Sequence, residues 1–271
     1  MFLIPAFLFM AVFLYYPFLQ NIVNSFMKIR NLGGGVKGVN NPFYKNYAEL
    51  LTDPNMRVAL KNTVIMIFVT LFGEVGLAVI LAMLVDNVKR GTKFFRIVYF
   101  FPIVISATAL GVLFNLIFQY DGGMLSQMVG EKTNWKELYP LTVMMTPVVW
   151  QYVGFYFIIL VTGLNNIPEE LYESAAIDGA TRWQKVRYIS WPLLHNVVCT
   201  CAVLAVTGAL KVFDLPWVMF PNGAPLGRTY MYYKTMQAPD IDYSSAIAFF
   251  IVILGVILSK VVNKIFKERD Y

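Results

Sequence analysis

A band of hydrogen-bonding and ring-bearing residues interrupts an oily run at WQYVGFYF, which holds Trp150, Gln151, Tyr152, Phe155 and Tyr156. An amide and phenols bond hydroxyls, and aromatic rings stack on apolar C–H faces. Gln151, Tyr152 and Phe155 therefore offer both kinds of contact that a sugar takes, although ordinary helix packing accounts for the same residues. Thr207, Lys211, Phe213 and Asp214 form a second group. Lys211 and Asp214 stand three apart, so they could pair on one helix face, or one of them, with Thr207, could face a polar pathway. Glu74, in VTLFGEVGLAV, is the most isolated charge. An acid inside an apolar run is a functional candidate by default; a buried polar contact to another span or to a partner subunit is the plainer account. Asn24 and Asn115 suit helix-to-helix hydrogen bonds.

Other chemistry is poorly supplied. His195 is the single histidine, and Cys199 and Cys201 are the only cysteines, two apart in an apolar stretch. That spacing points them in different directions on a helix, so they read as buried thiols rather than a disulfide or metal site. Scattered acids give neither a metal set nor a triad, so a membrane-embedded enzyme is a weak alternative. There is no G-x-x-x-x-G-K-[ST] loop to cradle a nucleotide phosphate.

The elements that must position these residues are membrane helices. The 271 residues are 58% hydrophobic and 14% charged, against about 25% charged in a soluble domain, and mean hydropathy is +0.60. A span needs about 20 mostly apolar residues. Six stretches qualify: Phe2 to Phe26, Thr63 to Val85, Ile97 to Phe118, Pro140 to Leu164, Val197 to Val218 and Ser244 to Val262. Backbone groups cannot stay unpaired in lipid, and the runs lack the period-two alternation of barrel strands, so they are helices. The first has no basic flank or cleavage site and reads as a retained span rather than a signal peptide; its abrupt start suggests a missing N-terminal extension. The net charge of +6 reads as loop charge near lipid headgroups, not as a nucleic-acid surface. Basic residues divide almost equally between the two sets of loops, so the positive-inside rule does not decide orientation. No repeat or separate soluble domain is apparent; residues 1–271 read as a single transmembrane domain.

One connection, residues 165–196, is unusually polar and ordered. Pro168, Glu169 and Glu170 suit a helix start, and Gly179 suits its end. Thr181 with Gln184 matches a capping box for a second helix, carrying Trp183, Val186 and Ile189 on one stripe, which Pro192 would end. A membrane-surface hairpin and a docking element fit equally well on these grounds alone.

The spacing Glu173-Ser174-Ala175, three residues, Gly179, nine residues, Ile189, one residue, Trp191-Pro192 resembles the EAA motif of ABC-importer permease subunits, with Ser174 for Ala and Trp191 for Leu. The longer stretch IPEELYESAAIDGATRWQKVRYISWPLL is similar to the carbohydrate branch of that family, and the likeness extends to NYAELLTDPNMRVALKNTVIM, RGTKFFRIVYFFPIVIS and GALKVFDLPWVMFPNGAP, where Ala224 replaces a family glycine. The resemblance implies an all-α polytopic fold of six transmembrane helices, the type I ABC-importer permease fold, with loop 165–196 as its cytoplasmic coupling helix. Glu173, Ser174, Ala175, Asp178, Gly179, Ile189 and Pro192 would then couple to an ATPase. Gln151, Tyr152 and Phe155 fall where maltose-type permeases contact ligand, and Tyr156, Thr207, Lys211 and Asp214 join them as pathway candidates. Implied partners are a second permease, two ATP-binding subunits that use ATP and magnesium, and an external solute-binding protein; this chain itself would hold no cofactor. Both termini would be cytoplasmic in a bacterial or archaeal plasma membrane, with loops 27–62, 119–139 and 219–243 outside. The cargo would be a sugar, with glycerol phosphate or another polyol as the alternative. An ion-driven carrier using Glu74 is the reading from another class.

Overall fold

The computed structural model describes residues 3–31, 34–86, 92–220, 226–237 and 239–265. Residues 32 and 33, residues 87–91 between the second and third spans, the Ala224 stretch and residues 266–271 lie outside the described residues. In chain order the elements are α1 (Ile4–Asn24), β1 (Met27–Asn31), β2 (Gly34–Val39), α2 (Lys45–Thr52), α3 (Pro54–Val85), α4 (Thr92–Val104), α5 (Ala107–Ile117), α6 (Met124–Val129) and α7 (Trp135–Leu138). They continue with α8 (Pro140–Asn165), α9 (Glu169–Ile177), α10 (residues 182–211), α11 (Asp214–Met219), α12 (Gly227–Met236) and α13 (Ile241–Ile265). Among the described residues five helices are long and apolar enough to cross a membrane, or six if α4 and α5 count as one bent span.

The chain divides into two compact units. One comprises residues 1–63 and 220–257. Its α1 is exposed along its length, with Phe7, Phe9 and Phe13 all above 60% accessible, as expected of a helix whose solvent is lipid. Within loop 27–62, β1 and β2 pair as antiparallel strands with Ile29 opposite Val36. Asn40 closes the pair by donating to the Met27 carbonyl at 2.9 Å. The core of this unit is Leu50, Met56, Ala59, Tyr230, Tyr243 and Ile247. Above it, Asp53 accepts hydrogen bonds from Tyr230 (2.6 Å) and Tyr243 (2.8 Å) and from the Asn55 N–H (2.9 Å). Burial pushes the Asp53 carboxyl up, but the two phenols and the backbone N–H groups outweigh it and hold the group below its ordinary value.

The other unit comprises residues 64–219 and 258–271. Its core gathers Val75, Ala78, Tyr156, Phe157, Leu160, Leu194, Cys201 and Ala205 from α3, α8 and α10. Cys199 and Cys201 are both buried. Helix α8 meets α4 so closely at Gly154 that a Cβ there would collide with the Tyr99 carbonyl; only glycine permits that approach.

Two expectations need correcting here. The stretch Ile97 to Phe118 is not one straight helix: α4 and α5 meet at 95°. Pro102 lies near the end of α4, and Ser106 caps α5 by accepting from the Ala109 N–H at 3.2 Å, so a stop and a start signal fall within one apolar run. Nor does Pro192 end the second helix of loop 165–196. The helix continues through it into the next span, by way of a π-helical turn at Val186–Ser190. Proline has no N–H for the carbonyl four residues earlier and clashes with it; the wider turn absorbs both defects.

Candidate functional site

Two places collect the candidate residues, both within the unit of residues 64–219. The first is a cavity of about 250 Å³ bounded by α3, the start of α5, α8, α10 and α11. It brings together Gln151, Tyr152, Tyr156, Lys211 and Asp214, and adds Glu74, Thr70 and Phe213. Gln151 is 6% exposed and Tyr156 4%. The Gln151 amide donates to the Ile105 carbonyl at 3.1 Å, which satisfies a group freed by the α4–α5 bend. The side chain thus ties the bend to the cavity wall.

Lys211 and Asp214 do not share a helix face as their spacing suggests. Val212 adopts an extended ψ of 124°, so α10 ends at Lys211 and α11 begins at Asp214. Each charge complements the dipole of its own helix end, cation at the C-terminus and anion at the N-terminus. The break also brings both residues, with Phe213, to the cavity wall.

Phe155 and Thr207 lie outside the cavity lining. Phe155 packs on the apolar core and edge-on against Tyr156, with ring centroids 5.3 Å apart. The Thr207 hydroxyl donates back to its own helix, to the Val203 and Leu204 carbonyls at 2.9 and 3.0 Å. Asn115 donates to the Val218 carbonyl at 3.4 Å, whereas in α1 it is Asn21 that reaches across, to Ser245 at 3.4 Å.

Glu74 is the residue that the sequence left ungrouped. It sits in a π-helical turn at Thr70–Gly76, is 2% exposed, and has a buried carboxyl oxygen with no hydrogen-bond partner among the described residues. Such an unmet group costs about 1–3 kcal/mol. The available signal was its isolation among apolar residues; its neighbours in space could not be read from spacing.

The second place is the helix–turn–helix of α9 and the start of α10. Glu173, Ser174 and Ala175 lie on α9, and Gly179 turns the chain at φ +76°. The Ala180 N–H bonds the Ala175 carbonyl (2.9 Å) and the Gly179 N–H the Ala176 carbonyl (3.1 Å), the paired closure of a Schellman end. Thr181 and Gln184 form a reciprocal capping box. The Tyr172 hydroxyl shares a 2.8 Å bond with Ser190, and Lys185 donates to the Tyr172 carbonyl at 2.9 Å, fixing the two helices together. The turn presents Ile177, 87% exposed, and Trp183, 69% exposed, an apolar pair that suits a partner surface. Ile189 and Pro192 lie farther along α10, away from the turn.

The family profile described as binding-protein-dependent transport system inner membrane component matches residues 74–269. A probable ABC transporter permease protein of Bacillus subtilis, YurN, is 30% identical over 98% of this chain and 95% of its own length. The lactose transport system permease protein LacF of Rhizobium radiobacter is 28% identical over 96% of this chain and 90% of its own. A crystal structure of a bacterial ABC transporter involved in the import of the acidic polysaccharide alginate contains a chain that superposes with a TM-score of 0.83 at 20% identity. That match covers 98% of this chain and 93% of the other, a likeness of fold.

Proposed function

Because this chain belongs to the family of binding-protein-dependent transport system inner membrane components, we propose that it is the permease subunit of an ATP-driven importer for a sugar or oligosaccharide. It forms half of the translocation pathway. The observation that carries the cargo class is the cavity where Gln151, Tyr152 and Tyr156 meet Lys211 and Asp214: amide, phenols and charges supply hydrogen bonds, and the tyrosine rings supply stacking faces. The lactose and arabinooligosaccharide permeases among its relatives support a saccharide over glycerol phosphate.

In this reading the α9–α10 turn seats in a groove of an ATP-binding subunit, with Glu173, Ser174, Ala175, Asp178 and Gly179 at the contact. Ile189 and Pro192 join that contact to the span, transmitting its movement along a continuous helix. ATP and magnesium are used by the ATPase pair, since the sequence carries no P-loop of its own. A second permease completes the pathway, and an external solute-binding protein delivers the cargo. Both termini face the cytoplasm of a bacterial or archaeal cell.

Purification of the chain from its native membrane in mild detergent, with mass spectrometry of the co-purifying subunits, tests this assembly. A second permease and an ATP-binding subunit are the expected companions. A chain that emerges alone and drives uptake from an ion gradient after reconstitution would overturn the proposal.

A further inference from the structure

Helices α3 and α10 pack together along the Thr70–Gly76 turn and part beyond it, toward the α9–α10 turn. Between them, within the unit of residues 64–219, lies a groove of about 1040 Å³. Leu71 and Ala202 stand at its closed end, next to the polar cavity, and Leu84 stands at its open end with Arg182 and Arg187. The lining is apolar or aromatic except for those two guanidinium groups. Both arginines are exposed, and neither forms an ion pair among the described residues. Arg187 rests only over the ring of its neighbour Tyr188, 5.9 Å from the centroid.

The length and the charge of this groove narrow its occupant. From Leu71 to Leu84 it runs about 20 Å at the helical rise. That crosses one leaflet of a hydrocarbon core about 30 Å thick and stops short of the far side. A spanning helix of a partner would need a groove along the whole of α3, which offers one only over its second half. The charge stands at one end, beside Trp191. Indole rings gather at the membrane–water interface, and basic pockets between spans hold anionic headgroups. A guanidinium matches two phosphate oxygens at once. We propose that the groove is a binding site for a phospholipid with an anionic headgroup: an acyl chain lies along α3 from Leu84 to Leu71, and the phosphate sits on Arg182 and Arg187. The inference needs only that the chain spans a membrane and is independent of the cargo.

The test uses the full chain with the subunits that accompany it from the membrane. It is exchanged into an equimolar mixture of phosphatidylglycerol and phosphatidylcholine with identical acyl chains, and retained lipid is counted by native mass spectrometry. Wild type is expected to retain phosphatidylglycerol about tenfold over phosphatidylcholine, the effect of two cations on one net negative headgroup. The double variant Arg182→Gln, Arg187→Gln should bring the two lipids to parity, and both side chains are exposed, so the fold has little reason to change. Lys93→Gln, which removes an exposed cation of α4 outside the groove, should leave the preference intact. Gly76→Leu probes the acyl chain with the charges untouched. A Cβ at Gly76 meets nothing nearer than the Leu71 carbonyl at 3.8 Å, so the side chain grows into the groove and should lower phosphatidylglycerol retention about tenfold. Equal retention of both lipids by wild type would overturn the proposal, as would a preference that survives the arginine variant, one lost with Lys93→Gln, or full retention by Gly76→Leu. A photoreactive residue in place of Ile80, which lines the groove, separates the remaining occupant: a crosslink to lipid is expected, and a crosslink to another polypeptide would refute the site.

Discussion

Single side chains in this protein divide between those that hold structure and those left open. Asp53 belongs to the first kind, with three hydrogen bonds to its carboxylate. Asp53→Asn should cost about 1–3 kcal/mol, read as a fall in melting temperature. Because the folded carboxyl titrates below its ordinary value, its stabilisation is complete above the unfolded value of about 3.9 and is lost as pH falls through the lower folded value. A melting series from pH 7 to pH 3 should therefore show the variant closing its gap on wild type, and a constant gap would refute the assignment. Gly154 is held by sterics instead. Gly154→Ala should destabilise by about 1–3 kcal/mol, since its Cβ has only the Tyr99 backbone to displace; a variant that melts with wild type would show that α4 can yield.

At the scale of elements, the α9–α10 turn separates what holds a shape from what uses it. Thr181→Ala removes the cap of α10 and should cost about 1 kcal/mol, visible as earlier melting. Gly179 has φ +76° and open space around its missing Cβ. Gly179→Ala therefore carries only backbone strain, roughly 1–2 kcal/mol, whereas Gly179→Glu adds a bulky charge with no collision inside the chain. If the turn seats on an ATP-binding subunit, the glutamate variant should insert and assemble yet uncouple ATP hydrolysis from uptake, while the alanine variant stays coupled. Equal loss in both would place the defect in the fold of the turn rather than at a partner surface. Pro192 gives this element its reach: the π-helical turn before it lets α10 pass through a residue that commonly stops a helix, so the second helix of loop 165–196 and the span are one rod.

For the whole molecule, the absence of a P-loop in the sequence sets the energetic question. The family relationship predicts uptake that needs ATP and partner subunits and is indifferent to dissipating an ion gradient. Comparing uptake in vesicles with ATP alone, with a proton gradient alone and with both reads this directly. A gradient that suffices without ATP would return Glu74 to the role of a coupling acid.

Much of this was legible in order along the chain. Runs of apolar residues announced helices because lipid leaves the backbone no other partner, and Thr181, Gln184 and Gly179 announced a turn because capping and positive φ are local chemistry. The spacing around Glu173 and Gly179 carried the family. The tertiary structure decided what depends on direction. A helix in lipid is apolar on nearly every side, so periodicity has little contrast with which to mark an inward face. Hence the sequence could not separate Tyr152 and Tyr156, which line the cavity, from Phe155, which packs on the core, nor place Glu74 beside them from 78 and 82 residues away in the chain. The break at Val212 was hidden, and at Ile105 the signals of Pro102 and Ser106 were masked by the apolar run around them. The Gln151 amide that satisfies the Ile105 carbonyl comes from another helix, and only folding brings it there.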